Sequence, residues 1–208
     1  MTVRVDLVRR GLWVEYASVA WMVLESLVAI GAGVLAGSLA LIAFGGDSII
    51  ELISSFAVLA YMTKLMRNPT SDPSELGAEG VERLTAFLLL VLLPTISFAA
   101  AYSFLVGHRP DASLPGIFMA IGAVIVMPLL WYEKRRIGRD ANILPLSIDA
   151  IESATCFLMS VSLLFGLLVN FFFHVWWIDY VATAMILGFV AKEGREALSE
   201  IKTGHETS

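Results

Sequence analysis

Leu39-Ala40-Leu41-Ile42-Ala43-Phe44-Gly45-Gly46-Asp47-Ser48-Ile49-Ile50-Glu51-Leu52-Ile53 is an apolar run interrupted by two acids four residues apart. Extended both ways, it becomes the apolar block Ser38–Met66. The block before it, Leu12–Ala36, is separated only by Ala36-Gly37-Ser38. So short a break makes a tight turn and forces the two segments to be antiparallel neighbours. Further apolar blocks follow at Leu84–Val106, Leu114–Tyr132, Ala141–Phe173 and Trp176–Ala191. Each is close to the ~20 residues that a helix needs to cross a bilayer core. The sequence therefore predicts an all-α integral membrane protein, a single domain over residues 1–208 with six transmembrane helices.

Composition agrees. Of the 208 residues 58% are hydrophobic and 16% charged, whereas soluble domains average about 25% charged. No basic face interleaved with aromatics exists, which excludes nucleic acid as a partner. Cys156 is the single cysteine, so no intramolecular disulfide or CxxC motif is available. Polar breaks are expected at Arg67–Glu82 and Glu133–Asp140, the latter strongly basic, and Pro94, Pro128 and Pro145 should kink or break their helices. Basic residues gather in the termini and the even-numbered connections, leaving Arg109 alone on the other side. By the positive-inside rule both termini are expected in the cytoplasm. The 17 residues that follow the sixth block are expected to be too few for a soluble C-terminal domain. Trp13, Trp131, Trp176 and Trp177 read as interfacial anchors, Gly31, Gly33 and Gly37 as close-packing positions, and His108, His174 and His205 as loop or tail residues.

The informative residues are acids inside the blocks: Glu15 and Glu25, then Asp47 and Glu51, then Asp149 and Glu152. A charged aspartate at mid-helix costs roughly 2.5–3.5 kcal/mol. With no lysine or arginine expected at that depth, protons or bound cations must neutralise them. A ~1.5 Å rise per residue puts Asp47 and Glu152 roughly 13–17 Å into a ~30 Å core. Asp47 and Glu51 share a helix face, as do Glu152 and Cys156. Two such pairs facing one another offer three oxygens and one sulfur to a divalent transition metal, zinc before magnesium or calcium; cobalt, cadmium, iron and manganese are the other candidates. Cys156 has a plainer reading as a small buried hydrophobe. Glu25 is either a protonated packing contact or a proton carrier. Asp149 is a ligand, a residue of the access path or a helix–helix contact, and Glu15 is expected to be solvated near the inner interface.

These residues carry a resemblance. Ala36-Gly37-Ser38-Leu39-Ala40-Leu41 followed by Asp47-Ser48-Ile49-Ile50-Glu51 resembles the second helix of the cation diffusion facilitator family. Asp149-Ala150-Ile151-Glu152-Ser153-Ala154-Thr155-Cys156 is similar to that family's fifth-helix pattern, with Glu152 at its His position and Cys156 at its second acid. Trp177-Ile178-Asp179 through Lys192-Glu193-Gly194-Arg195-Glu196-Ala197 looks like its sixth helix. The resemblance is to short bacterial-type members without the usual cytoplasmic domain. It implies a transporter, not an enzyme: a multi-pass protein of the inner cell membrane, working as a homodimer that exports metal in exchange for protons by alternating access. A metal-sensing scaffold is the first alternative. An intramembrane metal-dependent hydrolase is the second, and it lacks a general-base histidine within any apolar block.

Overall fold

The computed structural model describes residues 5–67 and 78–206, with no side chains described for 5, 78–86, 89, 193 and 196–206. The described residues form six long helices: α1 Val5–Ala36, α2 Leu39–Arg67, α3 Ala78–Leu105, α4 Leu114–Ala141, α5 Leu144–Phe173 and α6 Ile178–Glu206. Four of these, α1, α2, α4 and α5, are long and apolar enough to cross a membrane, and α3 carries a shorter apolar stretch, Leu90–Leu105. Large apolar side chains stand on the outer surface, Leu35 at 88% exposure and Phe98 at 75% among them. A soluble monomer does not tolerate such a surface, whereas hydrocarbon covers it at no cost. The protein is an all-α membrane protein.

The four most apolar helices make the centre. The hairpin α1–α2 packs on the hairpin α4–α5 through α1 against α4 and α2 against α5, and α3 and α6 pair with each other alongside α2. One apolar core includes Ala29, Phe44, Ala120, Met127, Met159 and Ile186. A second, near the α4–α5 junction, consists of Val8, Val58, Met62, Leu65, Ile137, Ile143 and Leu146.

The tight turn of the first hairpin forms as the sequence predicts. Gly37 takes φ 64°, a left-handed conformation that glycine adopts without strain. Ser38 then starts α2, its Oγ accepting from the Leu41 N–H at 3.2 Å. A methyl group on Gly33 would collide with the Ile42 backbone nitrogen at 3.0 Å, and one on Gly45 with that of Ile30, also at 3.0 Å. The two helices thus touch backbone to backbone over these turns. Gly31 is different: a side chain there would meet nothing within 4 Å, so the expectation of close packing fails at that position within this chain.

Several boundaries differ from expectation. Residues 68–77 of the expected loop lie outside the described residues, while 78–82 already belong to α3. Pro145 falls in the first turn of α5, where its missing N–H has no helical partner to lose, so it begins a helix rather than breaking one. Pro94 and Pro128 sit inside continuous helices. The basic segment Glu133–Asp140 is the last part of α4, not a loop. That last difference changes the reading of the buried acids.

Candidate metal centre

Asp47 lies eight residues into α2, and Glu152 eight residues into α5, each roughly 12 Å along its helix. Asp47 is 1% exposed and Glu51 4%. Neither carboxylate oxygen of Asp47 has a hydrogen-bond partner. Its charge instead interacts with those of Glu152 and Glu25. An isolated buried carboxylate of this kind is costly, and its neighbours make the local potential more negative.

Glu25, fully buried on α1, is the best satisfied of the group. Its Oε2 accepts from Trp21 Nε1 at 2.5 Å, and its Oε1 accepts from Ser48 Oγ at 2.8 Å and from the Cys156 thiol at 3.5 Å. Three donors on three helices hold one carboxylate in place. Trp21 sits one turn before Glu25, Ser48 directly follows Asp47, and Cys156 reaches across from α5. Cys156 interacts electrostatically with Glu25, Glu51 and Asp47, so the sulfur points into the acid group rather than only into the apolar core. Glu152 accepts from Ser54 Oγ at 3.2 Å.

The expected residues are therefore neighbours, with a different pairing. Cys156 faces Glu25, and Glu152 faces α2. Among the described residues, no three Asp, Glu, Cys or His side chains stand close enough together to form a ready-made metal cage. What the arrangement provides is a string of oxygen and sulfur donors that a divalent cation could draw inward, since the ion would cancel charges that otherwise repel.

A second acid cluster lies towards the α4–α5 junction. Lys134 on α4 is completely buried. Its Nζ is 2.5 Å from Asp149 Oδ2 and 3.7 Å from Glu15 Oε2, and it donates to Ser18 Oγ at 2.7 Å. Ser55 Oγ donates to the other oxygen of Asp149 at 3.2 Å. Two expectations are corrected here. Glu15 is not solvated near the interface but 0% exposed, and the buried acids do have a basic residue at their depth. Asp149 meets Lys134 and not the Asp47 group. The signal was present in the sequence: Leu130, Lys134 and Ile137 follow helical spacing, and all three are buried. Read as a basic loop, Glu133–Asp140 hid that periodicity.

Asp179, noted in the sequence only for its place at the head of the sixth helix, also has a defined task. Its carboxylate accepts from Ser38 Oγ at 2.5 Å and from the Leu39 N–H at 3.2 Å. These are free donors at the start of α2, where a negative charge is favoured by the helix dipole.

The chain is similar to the manganese efflux system protein MneS of Bacillus subtilis (strain 168), with 25% identity over 190 residues, or 90% of this chain and 65% of that relative. It thus spans just under two thirds of the relative's length. The family described as the cation efflux transmembrane domain matches residues 16–201, a span that holds Glu25, Asp47, Glu51, Lys134, Asp149, Glu152, Cys156 and Asp179 and begins one residue after Glu15. The resemblance to cation diffusion facilitators is borne out: the chain belongs to the cation efflux family.

Proposed function

We propose that the protein exports a divalent transition-metal cation from the cytoplasm, exchanging it for protons by alternating access through six membrane crossings, with both termini on the cytoplasmic side and two copies forming the working unit. The observation that carries this reading is Asp47, a buried carboxylate whose oxygens have no hydrogen-bond partner, facing the charges of Glu25 and Glu152. A bound cation or bound protons relieve that charge equally, whereas the vacated, deprotonated state is disfavoured in a membrane interior. Asp47, Glu51, Glu152 and Cys156 supply the ligands. Glu25, held by Trp21, Ser48 and Cys156, is suited to carry the exchanged proton next to them. Family membership supports transport over catalysis.

Two substrate readings have specific support. The Cys156 sulfur beside Glu25 favours zinc-like ions, while the relative's printed name favours manganese. The deciding experiment is uptake of zinc, cadmium and manganese into inside-out vesicles or proteoliposomes, with proton release followed in parallel. Uptake should release protons, and Asp47→Ala should reduce it to background at normal expression. Retained uptake in Asp47→Ala would overturn the site.

A further inference from the structure

Lys134 occupies a site built from oxygen donors on three helices besides its own. Glu15 and Ser18 come from α1, Ser55 from α2 and Asp149 from α5. The ammonium contacts Asp149 and Ser18 closely and Glu15 more loosely. Glu15 stands out within the group. It is completely buried, Ser55 and Asp149 lie beside it, and yet neither of its oxygens is in hydrogen-bonding geometry with a donor. One lysine charge therefore faces two buried carboxylates, and the second of them is left under-satisfied.

The position is in series with the metal centre. Glu15 and Glu25 are ten residues apart on α1, about 15 Å. Glu152 lies between the two groups, its charge interacting both with Lys134 and with Asp47. Ile137 and Leu146, each one helical turn from Lys134 or Asp149 on the side of the α4–α5 junction, belong to the second apolar core. Lys134 itself is seven residues from the end of α4, about 10 Å. A four-carbon side chain swinging in that direction could withdraw its charge from the pair.

We propose that Glu15 and Asp149, with the Ser18 and Ser55 hydroxyls, form a second cation site on the path, in which the Lys134 ammonium stands in for a divalent cation and is displaced by one. Its role as a stage of transport rests on the efflux reading, but cation binding itself does not. The donor set is all oxygen, so it selects a hard or borderline divalent ion such as manganese over soft ones. Two carboxylates match two positive charges, which a single ammonium does not.

The test counts bound manganese by electron paramagnetic resonance on the purified full-length chain. At Mn2+ concentrations too low to displace the ammonium, Lys134→Gln, which vacates the site but leaves the acids, should bind one more Mn2+ per chain than the native protein, whose count catches up only at higher Mn2+. Lys134→Arg should bind the native number, and Lys134→Gln/Glu15→Gln/Asp149→Asn should return to it. With Mn2+ at about 100 times its Kd, Lys134→Gln should also melt several degrees higher than without it, and by a larger shift than the native protein. A count in Lys134→Gln equal to the native one at every Mn2+ concentration, with its two acids simply protonating, would overturn the proposal. A measurement on the native protein covers failure of that variant to fold: Mn2+ should accelerate acylation of Lys134 roughly tenfold by freeing its amine, as read by peptide mass spectrometry, and an unchanged rate counts against the site. Because the ion count is an equilibrium measurement in detergent, loss of transport activity elsewhere leaves it untouched, and the two readings can fail separately.

Discussion

Two groups of buried acids stand in line between the same helices, and they differ in what cancels their charge. At Glu15 and Asp149 the chain provides its own cation, Lys134, and serine hydroxyls complete the contacts. Around Asp47 no lysine or arginine is found among the described contacts, and three hydrogen bonds go to Glu25 instead. A carboxylate with a fixed counter-charge holds helices together. One without it is a place where a mobile cation or proton changes the energy of the whole assembly. The same residue type thus has two uses, set by one side chain on α4.

The sharpest way to break this contrast is to neutralise one acid from each group. Asp149→Asn takes the closest counter-charge from buried Lys134, leaving it the looser Glu15 carboxylate and the Ser18 hydroxyl, and should destabilise the fold by on the order of 3 kcal/mol. Asp47→Asn removes a charge that has no hydrogen-bond partner, and should leave stability unchanged or raise it while transport is lost. Thermal unfolding in detergent, read beside vesicle uptake, checks both, and equal destabilisation in the two variants would erase the distinction. A smaller effect is expected at Cys156. If its sulfur is a ligand, Cys156→Ala weakens zinc uptake more than manganese uptake, and Cys156→Asp shifts preference towards the harder ion. An unaltered order of metal preference in both variants assigns the sulfur to packing alone. The smallest effect belongs to Asp179→Asn. It keeps one accepting oxygen at the start of α2 but loses the charge there, and should cost about 1 kcal/mol, in the range of a lost helix cap, without altering the metal preference.

Much of this architecture was legible in the sequence where residue pattern and burial agree. The Ala36-Gly37-Ser38 turn, the apolar blocks of α1, α2, α4 and α5, and the pair Asp47 and Glu51 follow from spacing and composition, because a membrane helix must be apolar except where it functions. Lys134 was not legible by the same rule. Four of the eight residues of Glu133-Lys134-Arg135-Arg136-Ile137-Gly138-Arg139-Asp140 are basic, and local polarity reads that as a connection, whereas α4 simply carries its apolar face through them to Ile137. Glu15 was misread for a related reason: its distance from the helix end says nothing about which side it faces. The partner of Cys156 was out of reach too. Spacing within α5 identifies Glu152 as its helical neighbour, but only the packing of α1 against α4 and of α2 against α5 brings Glu25 to the sulfur.

The glycine contacts between α1 and α2 bear on movement. At Gly33 and Gly45 the two helices are so close that not even a methyl group fits between them, and interfaces of that kind have no room to slide or twist. The hairpin therefore behaves mechanically as one rod. Asp179 bolts the head of α6 to the same end of that rod through Ser38 and the Leu39 N–H. Any rearrangement that opens a passage to Asp47 from one side and closes it from the other has to be taken up elsewhere. The remaining seams are those of α1 with α4, of α2 with α5 and of α6 with α5, so Glu25 and Asp47 travel together with the rod while Cys156, Glu152 and Lys134 stay with the opposing pair of helices. A shift along those seams would alter the distance between the two halves of each acid cluster at the same time, linking the state of one to the state of the other without any contact between them.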